Sequence, residues 1–310
     1  MPGAGWEEYK ALYSRADVHQ EGPDFRAEIV AARLDGVLVF DRRLSGVRHG
    51  RSQDHRAEDG FNHYTLQLNL AGDVEIDEGR GFASLTLGEA VLLDLTSPTS
   101  LGLRFQGAHL LTASITRSLV IAVCGPKSQH GRRLSPEATE GLRAWLQEQA
   151  AASDIGSFAG ADRPQLLFRL LTLLAPQGGL NPHQRRTLVQ QAMLKDYVDG
   201  QLRRRDLSSS DIARACGMSR AALYRLTAPY GGVIRYLQRR RLVQLERLLA
   251  GGDRRPLRAI AEELGFADAS HMVRLFGAAA GLSPGRYRAL AETPASAARK
   301  RWAAWFGELR

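Results

Sequence analysis

The chain has 310 residues, 44% of them hydrophobic and 24% charged. Those are ordinary proportions for a globular protein long enough for two domains. No apolar run approaches the roughly 18 residues of a membrane span, and Met1 to Glu21 has no apolar stretch of the kind a secretory leader carries. Two cysteines, Cys124 and Cys216, form neither a C-x-x-C pair nor a zinc spacing; the pattern fits a reducing, cytoplasmic setting, with one long-range disulfide as the weaker reading, and no metal or cofactor is expected. The net charge of +9 is unevenly spread. Residues 1–180 hold 18 basic and 22 acidic side chains, net −4, whereas residues 181–310 hold 24 and 11, net +13. This asymmetry points to a basic domain that faces a polyanion. Arg makes up nearly all of the basic residues, a bias that a GC-rich coding sequence also produces, but codon bias does not explain the split.

From residue 25 to 125, short alternating apolar runs are separated by turn residues. Gly36 to Phe40, Tyr64 to Leu70, Val74 to Ile76, Ala83 to Leu87 and Val91 to Leu95 each read as a strand, with breaks at Ala71-Gly72-Asp73, Gly88-Glu89 and Pro98. Such spacing predicts an antiparallel sandwich or barrel. Helices come next. Ser135-Pro136-Glu137 is a helix start, and Leu142, Trp145 and Leu146 share one face of that helix. Pro164 opens a second amphipathic segment that ends at Pro176. Both are expected to pack on their own domain or to pair with a second subunit. Gly178 to Pro182 reads as a linker. The expected divisions are 1–134, 135–180, 181–292 and a tail at 293–310, where Trp302, Trp305, Phe306 and Leu309 recur at helical spacing.

The region beyond residue 181 contains one pattern twice. Ala213 and Ala261 are small residues where a short helix must cross a neighbour. Four residues on stand Gly217 and Gly265, the residue type that accepts a left-handed turn. Met218 or Phe266 plugs the angle, Ser219 or Asp268 caps the next helix, and Leu223 with Leu226, or Met272 with Leu275, are its expected buried face. This is the grammar of a helix-turn-helix, whose second helix fits a DNA major groove. A single copy is weak, since Gly-turned helix pairs also occur in ordinary cores. Two copies joined by the long helical stretch from Tyr236 to Leu249, all in the basic part, are a strong signal.

The segment from about 185 to 290 resembles the DNA-binding domain of AraC/XylS-type bacterial transcription regulators. The resemblance rests on Ile260-Ala261, Gly265-Phe266, Ser270, Arg274, Phe276, Gly281, Pro284 and Tyr287-Arg288, and in the first copy on Leu207, Ile212-Ala213, Ser219, Leu223, Arg225 and Arg241-Leu242. The first copy departs from the family after its second helix, where Thr227 replaces a Phe and the turn Ala228 to Gly232 is about two residues short. The resemblance implies two recognition helices in successive major grooves. The base-reading positions correspond to Arg220, Ala221, Tyr224 and Arg225 in the first helix and to Ala269, Ser270, His271 and Arg274 in the second. Arg pairs with guanine O6 and N7 through its fork; a phosphate contact or an internal salt bridge is the alternative. The same choice, phosphate or internal partner, applies to Arg239, Arg240 and Arg241.

Many members of this family carry a cupin-like sensor domain ahead of the DNA-binding part, and the strands of 25–125 are similar to one. The expected fold is α+β with two domains, an N-terminal cupin-like β-barrel with helices and a C-terminal all-α tandem helix-turn-helix. By resemblance, a small-molecule effector binds inside the barrel. Phe40, Tyr64, Leu66, Leu68, Leu92 and Phe105 are the expected lining, with His63 and Gln67 as polar candidates on the opposite alternation; plain core packing is the competing reading of each. A one-residue slip would swap the faces. His49, His55 and His63 lack a His-x-His metal spacing. The implied partners are double-stranded promoter DNA, the effector, RNA polymerase and a second copy of the chain, with no membrane. Two other readings remain open from the residues alone: an enzyme, as a cupin metal site or an alkylation-repair activity fused to a DNA-binding domain, and an effector-free architectural DNA-binding protein.

Overall fold

The structure is a computed structural model that describes residues 5–13, 17–34, 36–51, 63–97, 101–151, 163–176, 178–280 and 282–290. The tail expected to be amphipathic, together with His55 and Gly281, lies outside the described residues. Contacts divide the chain into two compact units, residues 1–180 and 181–308.

Among the described residues, the first unit holds helix α1 (Trp6–Leu12) and nine antiparallel strands: β1 (Asp17–Gln20), β2 (Arg26–Leu34), β3 (Val37–Ser45), β4 (Val47–Arg51), β5 (His63–Asp77), β6 (Phe82–Ser84), β7 (Ala90–Asp94), β8 (Leu101–Thr116) and β9 (Arg132–Arg133). Their order is β1-β4-β8-β5-β7-β9, with β3 also paired to β8, β2 outside β3, and β6 beside β5. Two long strands organise the sheet. The C-terminal half of β8 pairs with β3 and the start of β5, while its N-terminal half pairs with β4 and the end of β5.

The break expected at Ala71 to Asp73 is not a turn between strands. β5 runs through it, with irregularities in its pairing to β8 between Asn69 and Ala71 and between Ala71 and Asp73. Gly72 has φ +74°, and a Cβ placed there would lie 2.1 Å from the Gly107 carbonyl oxygen. Only a glycine lets the two backbones meet so closely, and irregularities of this kind bend a sheet. Helices α2 (Arg117–Cys124), α3 (Pro136–Ala151) and α4 (Arg163–Leu174) complete the unit. Ser135 Oγ accepts from the Ala138 amide at the start of α3, and Leu142 and Trp145 are buried.

The second unit is helical: α5 (Pro182–Gly200), α6 (Ser209–Ala215), α7 (Arg220–Thr227), α8 (Val233–Ala250), α9 (Leu257–Glu263), α10 (Ala269–Ala280) and α11 (Pro284–Leu290). The caps explain the boundaries. Asn181 and Gln184 form a reciprocal capping box at α5, and Ser208 and Asp211 form one at α6, each satisfying two otherwise orphaned amides. The unit has two apolar clusters. One gathers Leu194, Val198, Ile212, Ala213, Leu223 and Leu226 with Tyr236, and the other gathers Leu245, Leu249, Ile260, Ala261, Phe266, Met272 and Phe276. Helix α8 contributes to both, so the joining helix is itself core. In α10 the deeply buried pair is Met272 and Phe276, and Leu275, expected with Met272, is only half-buried.

Candidate nucleic-acid interface and buried polar face

The two helix-turn-helix units are α6–α7 and α9–α10. In the first, Gly217 takes φ +58° and Ser219 Oγ accepts from the Ala222 amide. In the second, Gly265 takes φ +70° and an Asp268 carboxylate oxygen accepts from the His271 amide at 2.7 Å. Each turn therefore ends in a side-chain cap that starts the recognition helix.

Burial of one face defines the other. In α7, Ala222, Leu223, Leu226 and Thr227 are buried while Arg220, Ala221, Tyr224 and Arg225 are exposed. In α10, Ser270 and Arg274 are exposed one turn apart, and Ala269 and His271 are half-buried. Among the described residues, neither Arg225 nor Arg274 has a carboxylate within salt-bridge distance.

Several other basic residues of this unit are engaged internally. Arg240, expected among the DNA contacts, is corrected. It is 9% exposed, and its Nε and Nη2 donate to the two carboxylate oxygens of Asp199 at 2.7 and 2.6 Å. This bidentate pair ties α8 to α5, and with the side chain buried it engages the guanidinium inside the unit. Arg239 is half-buried with its guanidinium 5.5 Å from the centroid of the Tyr230 ring. Arg241 donates to the carbonyls of Leu202 and Arg204. Arg255 pairs with Asp253 and Glu263, and Arg203 with Glu263.

The departure of the first copy from the family has a structural answer. Residues 228–230 form a 3-10 turn, and Gly231 and Gly232 come after it at φ +80° and +101°. Thr227 Oγ1, fully buried, donates to the Leu223 carbonyl. The Tyr230 ring lies 5.0 Å from Tyr236 with the planes tilted by 60°, whereas the second copy brings Phe276 5.4 Å from Tyr287, edge to face. An aromatic pair thus braces each recognition helix, but in the first copy both rings lie C-terminal to the helix. Burial pushes the Tyr236 phenol well above its usual range, so it stays a neutral core group.

In the first unit, pairing fixes which side chains share a face, because directly paired residues of antiparallel strands point the same way. Phe40 pairs with Thr112, which pairs with Gln67. Leu66 pairs with Leu92 and Ala113, and Tyr64 with Asp94 and Ile115. The expected lining is therefore split, and its common face is corrected. Tyr64, Leu66, Leu68 and Leu92 occupy the face that carries α2 and the end of α4: Arg117 lies over the Tyr64 ring, and Arg132, paired with Leu92, donates to the Leu174 carbonyl. Phe40 lies with His63 and Gln67 on the opposite face, and both faces of this stretch are buried. Hydrophobicity could not reveal the register, because a strand covered on both sides shows no alternation.

The Gln67 face is polar yet enclosed. Arg42 is buried there, and its Nη2 donates to Gln67 Oε1 at 3.1 Å, whose Nε2 donates to Thr65 Oγ1 at 2.9 Å. Arg42 also bears electrostatically on His49 and Tyr9, so the two halves of the bent sheet approach each other on this face. Tyr9 Oη and His49 Nε2 are hydrogen bonded at 2.6 Å, and His49 meets the Phe105 ring edge to face at 5.5 Å. Burial first, and Arg42 second, push His49 down to about 3. Arg42, Thr112 and Tyr9 were not singled out from sequence, and His49 was weighed only as a metal ligand. An available signal was Arg42 itself, on the alternation of Leu38, Phe40 and Leu44.

Residues 212–290 match the family model described as a helix-turn-helix domain. The transcriptional activator NphR of Rhodococcus sp is 26% identical over 290 residues, covering 89% of this chain and 85% of that protein. The crystal structure of the AraC-like transcriptional activator CuxR is 20% identical with a TM-score of 0.48, covering 77% of this chain and 90% of that one. ToxT from Vibrio cholerae is 14% identical with a TM-score of 0.38, covering 86% and 98%. Residues 212–290 are thus a helix-turn-helix domain by family match, the chain is similar over most of its length to a transcriptional activator, and the protein is a DNA-binding transcription regulator.

Proposed function

We propose that the protein is a ligand-responsive transcriptional activator whose helices α7 and α10 read successive major grooves of one promoter site. The observation that carries this reading is the set of exposed guanidiniums on the two recognition helices, Arg220 and Arg225 on α7 and Arg274 on α10, none paired with a described carboxylate, in a unit where Arg203, Arg204, Arg240 and Arg255 all have one. Ala221 and Tyr224 accompany the first two, and Ala269, Ser270 and His271 the third. Arg is the side chain best suited to guanine, and Ala methyls suit thymine. The relative named as a transcriptional activator supports the sign of regulation. The first unit is assigned the sensing of a small molecule; RNA polymerase and a second copy of the chain are the further partners of this reading, and no catalytic role is assigned.

The test is a footprint on the promoter region next to the gene, with random DNA as competitor, over a range of salt. Binding should be preferential and weaken steeply as salt rises. Equal affinity for random DNA would sink the reading in favour of an architectural protein. Arg274→Ala should cost about 1–3 kcal/mol at the cognate site and relax preference at one base position. A uniform loss across sequences would make Arg274 a phosphate contact instead.

A further inference from the structure

Arg42 is a buried cation without a counter-charge. It is 7% exposed, no described carboxylate pairs with it, and its Nε has no hydrogen-bond partner. Its neighbour Asp41 points to the other face and is engaged by His109 at 2.8 Å. Thr112, 1% exposed, shares the Arg42 face between Phe40 and Gln67 in the register, and its Oγ1 is also unpartnered. A buried guanidinium costs several kcal/mol unless it is paired, and orphaned buried polar atoms are rare enough to need an occupant. His49, on the same face, is neutral and supplies no anion.

We propose that this face binds a small carboxylic acid with an apolar body, the carboxylate lying against Arg42 Nε and Thr112 Oγ1 and the body against Phe40 and Phe105. The planar fork of Arg matches a carboxylate, and charge-assisted hydrogen bonds there are stronger than those to a neutral group. Gln67 holds the guanidinium by its Nη2, and Nε is left for the ligand. The inference names the effector class for the sensing role proposed above and rests on that reading.

The experiment is thermal unfolding of the full chain with hexanoate and benzoate, each against its primary amide at equal concentration and matched ionic strength. The acids should raise Tm by about 2–4 °C once several-fold above Kd, and the amides should not. Arg42→Met should abolish the response. Thr112→Val, nearly isosteric, should weaken it several-fold and keeps the test valid if the Met variant fails to fold. Equal shifts by acid and amide, no shift with either acid, or an Arg42→Met protein that responds like the parent would overturn the proposal and leave water as the partner of Arg42. Operator affinity measured on the same preparation separates the two ideas. Specific DNA binding without an acid response removes only this inference, whereas an acid response that leaves operator affinity unchanged removes ligand control and keeps the site.

Discussion

Gly217 and Gly265 occupy equivalent turns at similar positive φ, yet their surroundings differ. A Cβ at Gly217 would meet nothing within 4 Å, whereas one at Gly265 would lie 2.4 Å from the Leu202 carbonyl oxygen and 2.9 Å from Arg241 Nη2. Gly217→Ala should therefore cost only its backbone strain, about 1 kcal/mol. Gly265→Ala adds overpacking against main chain and should cost about 2–4 kcal/mol. Urea unfolding of the two variants compares them, and equal losses would mean that the 202–204 segment gives way freely. Arg240 is a second case where identity and surroundings part company. Arg240→Ala leaves Asp199 only Lys195, at 3.7 Å, and should lower stability by about 1–3 kcal/mol while leaving the salt dependence of DNA binding unchanged. A reduced salt slope would return Arg240 to the phosphate contacts.

At the scale of elements, the first recognition helix depends on the segment C-terminal to it. Its aromatic brace is Tyr230 on Tyr236, with Arg239 over Tyr230. Tyr230→Ala should destabilise by about 1–2 kcal/mol and weaken protection of the half-site bound by α7 more than that bound by α10. Uniform loss across both half-sites would show that the second unit leans on the same brace. The paired glycines, caps and apolar plugs of both helix-turn-helix units were legible in the sequence because each acts within a few residues of itself. The substitute brace was not, since two tyrosines six residues apart announce nothing until the 3-10 turn brings their rings together.

At the scale of the molecule, the two units should answer differently to acid. The folded His49 titrates near 3, below the roughly 6.5 of an exposed imidazole. The unfolded chain therefore binds a proton that the folded one refuses. The stability is fully present above about pH 6.5 and is lost as pH falls toward 3, with a slope of up to about 1.4 kcal/mol per pH unit. Unfolding of the sheet unit between pH 7 and 5.5 should show this slope, and His49→Gln should remove it. An unchanged slope in that variant would place the acid sensitivity elsewhere. The slope belongs to unfolding of residues 1–180, not to the helical unit.

What the sequence by itself determined was local chemistry and the sign of charge: two capped, glycine-turned helix pairs, a basic half, and strand-forming segments ahead of them. These are set by neighbours in the chain, so they are written there. The tertiary structure decided everything that depends on which distant groups meet. Pairing of β3, β5 and β8 placed Phe40 with Gln67 and not with Leu66, because both faces of these strands are buried and alternation carries no signal. It also enclosed Arg42 without a carboxylate and gave Arg240 to Asp199. One arginine was thereby left asking for an anion and another withdrawn from DNA, a difference that burial and partnership create and composition cannot encode.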